Sequence, residues 1–403
     1  MIKLEEYISI VGESVISDLK LLAERLKGIT IQNINSTAVG GGVAEILNRM
    51  VPLLKGLGVD VRWDLIKGGE DFFTVTKKFH NALHGRFQKI EDKDFEIFLE
   101  TSRRNIEEVE IYGDIIFIHD PQPVALIKKK SNNKWIWRCH IDISEPNQRV
   151  WEFLKDFVVD YDAVVFSAPN FSQELSIRQF LIPPSIDPLS DKNKELPQNT
   201  IDSVLKKYNI PKDKPIITQI SRFDRLKDPI GVIEAYSLVK KYIDCQLVLG
   251  GGLSEDDPEG VKVFEEVKEK AKKDKNIHVL LLPHNDIEIN ALQRASTVIV
   301  QKSIKEGFGL TVTESLWKAK PVVASNVGGI PLQIKHKYSG LLCHSTEGCA
   351  FSIKQLLNSP DYANRLGQSG REHIRQNFLL TRHLRDYMLL FLSLYHPQDI
   401  VYL

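Results

Sequence analysis

The chain predicts a parallel α/β protein built as two doubly wound units, and three observations carry that expectation. Short apolar runs alternate with amphipathic helical patterns along most of the sequence. Its 403 residues exceed what a single hydrophobic core ordinarily serves, so two domains are expected. Glycine and polar clusters recur just after the apolar runs, where parallel strands deliver their loops to a ligand.

Taken in order, residues 29–34 are rich in β-branched side chains and read as a strand, followed by Gly40-Gly41-Gly42 and a helical pattern over 43–57. Residues 59–65 read as a second strand and 74–83 as a helix. The run 114–119 is apolar up to His119 and predicts a buried strand; 135–140 and 163–167 predict two more. Between 183 and 214 the composition turns to prolines, polar residues and charges, with one short helix, which marks the connection between domains. A second series follows: strands at 215–220, 245–249, 277–281, 298–300 and 321–325, with helices at 229–240, 261–272, 287–295 and 311–319. Residues 378–395 read as one apolar helix. The expected domains are 1–207, with an amphipathic extension over the first 28 residues, then 208–377, then a final segment 378–403.

Lys and Arg number 53 and so do Asp and Glu, so no global basic footprint points to nucleic acid. Lys128-Lys129-Lys130 reads as a solvated helix end. No run approaches the ~20 apolar residues that span a bilayer. The first six residues lack a secretory leader pattern. Four scattered cysteines without a Cys-x-x-Cys pair suit reduced thiols in a cytoplasm and give no structural zinc pattern.

The densest cluster is Lys305-Glu306-Gly307-Phe308-Gly309-Leu310, followed by a helix carrying Glu314. The glycines let backbone amides approach a ligand, and the helix start turns its unpaired N–H groups the same way, which suits a diphosphate. Glu306 and Glu314 can accept from sugar hydroxyls. Arg222 and Lys227 follow another strand and can reach one anion; surface pairing with Asp224 and Asp228 accounts for them equally well. His119-Asp120 and His140-Ile141-Asp142 each close a strand. Asp120 can bind an acceptor hydroxyl, and His140 can donate to a sugar hydroxyl near the reacting carbon. Trp63, at the end of its strand, with Lys67 and Glu70 in the loop that follows, can carry a sugar ring, or the tryptophan belongs to the core with an ordinary loop beside it. Asp256-Asp257-Pro258-Glu259 reads as a solvated loop rather than a cation site.

In this order the segments resemble the retaining GT-B glycosyltransferases of family 4, and within it the trehalose synthases that use nucleoside-diphosphate glucose, together with the retaining trehalose phosphorylases. Arg62-Trp63-Asp64-Leu65-Ile66-Lys67-Gly68, Ile118-His119-Asp120-Pro121, Trp137-Arg138-Cys139-His140-Ile141-Asp142 and Ser221-Arg222-Phe223-Asp224 carry the likeness. The resemblance implies two Rossmann-like domains facing each other across a deep cleft. It implies reversible synthesis of α,α-trehalose and nucleoside diphosphate from nucleoside-diphosphate glucose and glucose. Arg222 and Lys227 would hold the diphosphate, Glu306 the donor sugar, Glu314 the ribose, and the amides of Gly307 to Leu310 both sugar and phosphate. Gly41 and Gly42 would approach the diphosphate or the acceptor. His140 would face the reacting carbon and Asp120, with Trp63, Lys67 and Glu70, the acceptor. His284 and Asn285 would seat the base. No cofactor is implied as required and no metal site; Mg2+ stays open as a helper not held by the protein. The first 28 residues would cover the first domain or make a homodimer contact. Other readings are a phosphorylase using glucose 1-phosphate, a nucleotide-sugar 2-epimerase and a silent sugar-nucleotide sensor.

Overall fold

The computed structural model describes residues 3–38, 41–252, 258–282 and 285–396. The chain divides into two compact units, one running to Ser185 and resuming at Leu380, the other Ile186–Leu379.

The first unit opens with one-turn helices at Leu4–Tyr7 and Ile8–Val11 and then α1 (Glu13–Arg25), whose Ile16, Leu19 and Ala23 are buried. Strand β1 (Thr30–Asn35) leads into α2 (Gly41–Gly56), and β2 (Asp60–Leu65) into α3 (Glu70–Leu83). Helix α3 begins four residues before the expected start, with Glu70 and Asp71 in the first turn, where carboxylates favour a helix. Helix α4 (Asp92–Glu108) was not expected; its charged sequence leaves a thin apolar stripe, and Phe98 packs on Phe72 and Phe79. Then come β3 (Ile115–His119), β4 (Lys134–Arg138), α5 (Gln148–Val158) with Asn147 as its side-chain cap, β5 (Ala163–Phe166) and β6 (Arg178–Leu181). The sheet is all parallel in the order β2-β1-β3-β4-β5-β6. Its centre, β3, is wholly buried. The basic run ends a 3-10 helix, Val124–Lys129, and Lys128 and Lys130 pair with Asp160 and Asp162.

The second unit starts at Ile186, not at residue 208 as expected. Residues 186–207 are held there by polar contacts that composition does not reveal. Asn290 Nδ2 donates to the carbonyls of Asp191 (2.9 Å) and Lys194 (2.8 Å), and Arg294 pairs with Glu195 at 2.6 Å. Helix α6 (Gln198–Lys207) ends with Lys207 paired to Glu288. The unit continues through β7 (Ile216–Ile220), α7 (Pro229–Lys240), β8 (Gln246–Gly251), α8 (Pro258–Ala271), β9 (Ile277–Leu281), α9 (Asp286–Ala295), β10 (Val298–Gln301), α10 (Leu310–Trp317), β11 (Val322–Ser325), β12 (Leu341–Cys343), α11 (Thr346–Asn358) and α12 (Pro360–Asn377). Its parallel sheet runs β12-β11-β10-β7-β8-β9. The strand order reverses between β7 and β10, so a crevice opens beyond their carboxyl ends. Two apolar clusters sandwich the sheet, one including Ile217, Leu247, Val298 and Val323, the other Ile220, Val248 and Leu280.

The final helix, α13 (Leu380–Tyr395), belongs to the first unit, where it packs along α1. Its Tyr387 and Phe391 meet Phe117 of β3 edge-on, with ring centroids 4.9 and 5.5 Å apart.

Candidate active site

In the second unit the loops after β7 and β10 meet at the strand-order reversal. After β7, Asp224 Oδ1 accepts from the Leu226 amide at 2.7 Å and starts a 3-10 turn, Arg225–Lys227. Asp228 then adopts φ 47° and caps α7, accepting from the Gly231 amide at 3.0 Å, with Pro229 in the first turn. Asp224 and Asp228 thus both serve as caps, and Arg225 pairs with Glu266 at 2.7 Å. Gln219, buried inside β7, anchors the turn by donating to the Lys227 carbonyl at 2.7 Å.

That turn aims Lys227 at Glu306. Lys227 Nζ lies 2.7 Å from Oε1 and 2.6 Å from Oε2, a bidentate contact between side chains 18% and 8% exposed. Ser303 Oγ donates to Oε2 at 3.1 Å and Gln301 Nε2 stands 3.4 Å away. Beside this pair a second one joins Lys302 to Asp228. Arg222 is exposed on the same loop and makes no ion pair among the described residues.

The stretch from Glu306 to Gly309 is clamped from both sides. A Cβ on Gly328, which has φ 55°, would stand 1.7 Å from the Glu306 carbonyl oxygen, so only glycine passes there. Gln333 Nε2 donates to the Phe308 carbonyl at 2.5 Å while its Oε1 accepts from Thr313 at 2.6 Å. Gly309 takes φ 83° at the position just before α10. Phe308 is buried against Phe378, so its side chain serves the core and its backbone faces the turn. Glu314, one turn into α10, is buried and accepts from Gln293 Nε2 at 3.1 Å. Lys318 donates to the Glu314 carbonyl and to Asn193 Oδ1, each at 3.1 Å, and burial pushes its amine down to about 7. No hydrogen bond links Glu306 and Glu314 among the described residues; each has its own partners. Asn285 caps α9, its Oδ1 accepting from the Ile287 and Glu288 amides, whereas His284 lies outside the described residues, as do Asp256 and Asp257.

In the first unit the order reverses between β1 and β3, and a relay of side chains lies there. Asn33 Nδ2 donates to the Arg62 carbonyl at 3.3 Å, which leaves Oδ1 as an acceptor for His119 Nε2 at 3.1 Å. His119 Nδ1 meets His140 Nε2 at 3.2 Å. Burial, aided by the nearby Arg138 charge, holds His119 down at about 3 and His140 well below its ordinary value, so both rings are neutral. With one proton per ring, His119 carries it on Nε2 and His140 on Nε2. His140 Nδ1 is then an acceptor. With that tautomer the Nδ1 of His140 can accept from a ligand hydroxyl, whereas the expectation was for the ring to donate.

Asp120 adopts φ 63°, and its Oδ1 accepts from the His140 amide at 2.8 Å. Its own amide donates to the Arg138 carbonyl at 2.8 Å, and its carbonyl accepts from the Trp137 indole at 2.9 Å. A non-glycine residue held in this conformation by three bonds is a feature of functional sites. Burial raises its carboxyl to about 6, against the pull of the His140 amide and Arg138. Gly41 and Gly42 begin α2, and a Cβ on Gly42 would meet no atom within 4 Å. Trp63, on β2, spends its indole N–H on Asn35 at 2.7 Å. Lys67 pairs with Glu108 at 2.9 Å and Glu70 stands exposed at the start of α3; no hydrogen bond joins either to Asp120 or His140 among the described residues. Among the described residues no helix is long and apolar enough to cross a membrane, and no group of three His, Cys, Asp or Glu comes together.

Several partners here lay outside the motifs: Asn33, Gln301, Ser303, Lys302, Gln293 and Gln333. The signal for Gln301 is a polar amide closing an otherwise apolar strand; for the rest no local pattern points to them.

A family model described as the N-terminal domain of trehalose synthase matches residues 33–173, and one described as glycosyl transferases group 1 matches residues 200–373. A trehalose synthase of Pyrococcus horikoshii is 45% identical over 394 residues, covering 96% of this chain and 95% of that one. A trehalose phosphorylase of Pleurotus pulmonarius is 28% identical and covers 84% of this chain and 54% of its own. Among solved structures, a sucrose-phosphate synthase of Thermosynechococcus elongatus aligns with a TM-score of 0.71 at 18% identity, over 91% of this chain and 100% of that one. At that identity the likeness speaks for the GT-B fold.

Proposed function

We propose a retaining glucosyl transfer for this chain, which belongs to the trehalose synthase family of glycosyltransferases. The donor is a nucleoside-diphosphate glucose, the acceptor is glucose and the product is α,α-trehalose. The observation that carries the reading is the Lys227–Glu306 pair at the strand-order reversal, beside a clamped turn that opens a helix. A diphosphate arriving there competes for Lys227, with exposed Arg222 as a second cation and the amides after Gly307 as neutral donors. Glu306 is then free to accept from the glucose hydroxyls. Charge grows on the leaving diphosphate as its bond to C1 breaks, and fixed cations stabilise that charge. The acceptor oxygen bonds to C1 from the same face, and its proton passes to the departing phosphate oxygen. This route asks for no carboxylate nucleophile, and positioning and charge do the work. In the first unit, Asp120 and the Nδ1 of His140 are acceptors for sugar hydroxyls.

The test is product analysis by NMR with several nucleoside-diphosphate glucoses and glucose, with and without phosphate. Trehalose and free nucleoside diphosphate in phosphate-free buffer support the reading; no trehalose from any donor refutes it. The 28%-identical phosphorylase motivates one alternative, transfer from glucose 1-phosphate. Phosphorolysis of trehalose without nucleotide would establish it.

A further inference from the structure

Beneath the Asp120–His140 loop lies a group of buried donors that the proposed transfer does not use. Arg138, the last residue of β4, is 0% exposed. Its Nη2 donates to Ser167 Oγ at 3.1 Å, but Nε and Nη1 find no acceptor among the described residues. On α13, His383 is also 0% exposed. Its Nδ1 meets Ser185 Oγ at 2.8 Å, and its Nε2 has no partner among the described residues. One helical turn on, Tyr387 is 1% exposed and its hydroxyl is likewise without a partner among the described residues; the two rings lie 4.4 Å apart. Arg138 stands in register with His119 of β3, two residues from Phe117, and Tyr387 packs on Phe117 with ring centroids 4.9 Å apart, so the three side chains share the region where α13 covers β3 and β4.

Two features separate this group from ordinary buried polarity. Its unsatisfied atoms are donors: two guanidinium nitrogens, a phenol and, if Ser185 donates to Nδ1, the imidazole Nε2–H. The guanidinium also makes no ion pair among the described residues, with the Asp120 carboxyl acting on it only at longer range, and the neighbouring Arg382 pairs with Asp386 at 2.6 Å and donates to the Pro183 carbonyl at 2.8 Å while its Nε finds no acceptor among those residues. A buried charge without an ion pair costs several kcal/mol, and buried donors without acceptors add to that. Water would satisfy the donors and leave the charge; an anion answers both.

We propose that Arg138, His383 and Tyr387 form a buried site for a small inorganic monoanion of the halide class. The Arg138 carbonyl holds the Asp120 amide, so the ion is tied in directly beneath the functional loop. Binding to the folded state alone raises the thermal midpoint with the logarithm of ion concentration above Kd.

The experiment has two arms. Thermal unfolding of the full chain is followed while chloride replaces gluconate at constant ionic strength, and crystals grown in bromide are examined for anomalous scattering. The expected results are a chloride-dependent rise in midpoint and a bromide peak within contact of Arg138 Nε and Tyr387 Oη. Tyr387→Phe, losing one hydrogen bond to a charged partner, should weaken chloride binding about tenfold. Arg138→Gln should abolish the dependence; should it fail to fold, Tyr387→Phe and the bromide crystals decide. A midpoint indifferent to chloride, an unchanged chloride response in Tyr387→Phe, or a water in place of bromide overturns the proposal.

Discussion

Lys227 and Glu306 hold each other so closely that stability and turnover should separate cleanly when the pair is dismantled. Both are largely buried, at 18% and 8% side-chain exposure, and they touch through two contacts of 2.6 and 2.7 Å. Lys227→Met leaves Glu306 with Ser303 at 3.1 Å and Gln301 at 3.4 Å and no cation. Breaking a buried pair from one side costs about 3–5 kcal/mol, because the remaining charge stays buried. Glu306→Gln strands Lys227 in the same way, with a smaller loss because Lys227 is the more exposed partner. The double variant removes both charges together and should recover most of the loss, giving a coupling energy of about 2–3 kcal/mol. Urea midpoints of the four proteins measure this. Turnover should follow a different rule: all three variants lose at least about 100-fold, because each lacks a group that meets the reacting diphosphate sugar. Additive stability losses, or normal turnover in Lys227→Met, would refute the reasoning.

Lys318, with its ordinary value of 10.5 pushed to about 7 by burial, imposes a pH signature. Below pH 7 the folded and unfolded amines are both charged and the burial penalty is present in full. Between 7 and 10.5 the folded state has lost a proton that the unfolded state keeps, so stability rises with pH, by about 5 kcal/mol at most. Urea titrations at several pH values should show that slope in the parent and not in Lys318→Met. Asp120, raised to about 6, should give a kcat/KM for glucose that falls as pH drops below 6. Asp120→Asn should be slower and flat over the same range. Imidazole 15N shifts should report His119 and His140 neutral between pH 8 and 5.5, with His140 Nδ1 unprotonated; a protonated Nδ1 would restore the donor role. Gly328→Ala, which drives a methyl into the Glu306 carbonyl from a left-handed backbone, should cost more than about 3 kcal/mol in thermal unfolding.

The elements legible in the sequence are those whose apolar runs stand next to glycine or proline. Helix α7 was bounded correctly because Pro229 opens it, and β9 because its apolar run, broken only by His278, stops just before Pro283. Helices α4, α5, α11 and α12 escaped because their apolar stripes are interleaved with charge or small polar residues, and β6 because its side chains are partly exposed at a sheet edge. At the site, the motif residues Lys227, Glu306 and Asp120 were legible because strand ends and glycines flag them. That Lys227 would pair with Glu306, 79 positions away, was not, because it depends on which strands become neighbours. Nor was the orientation of His140, which a hydrogen bond two residues removed, at Asn33, decides.

The return of α13 to the first unit has a consequence for synthesis. Residues 186–379 form an insertion within a unit whose helix α13 is made only after that insertion. The second unit has all its strands and helices once residue 379 has emerged, while the first still lacks the helix that covers Phe117 and packs along α1. Domains fold as their segments appear. The unit begun first is therefore completed last, and until then its apolar face is open to chaperones and to other nascent chains.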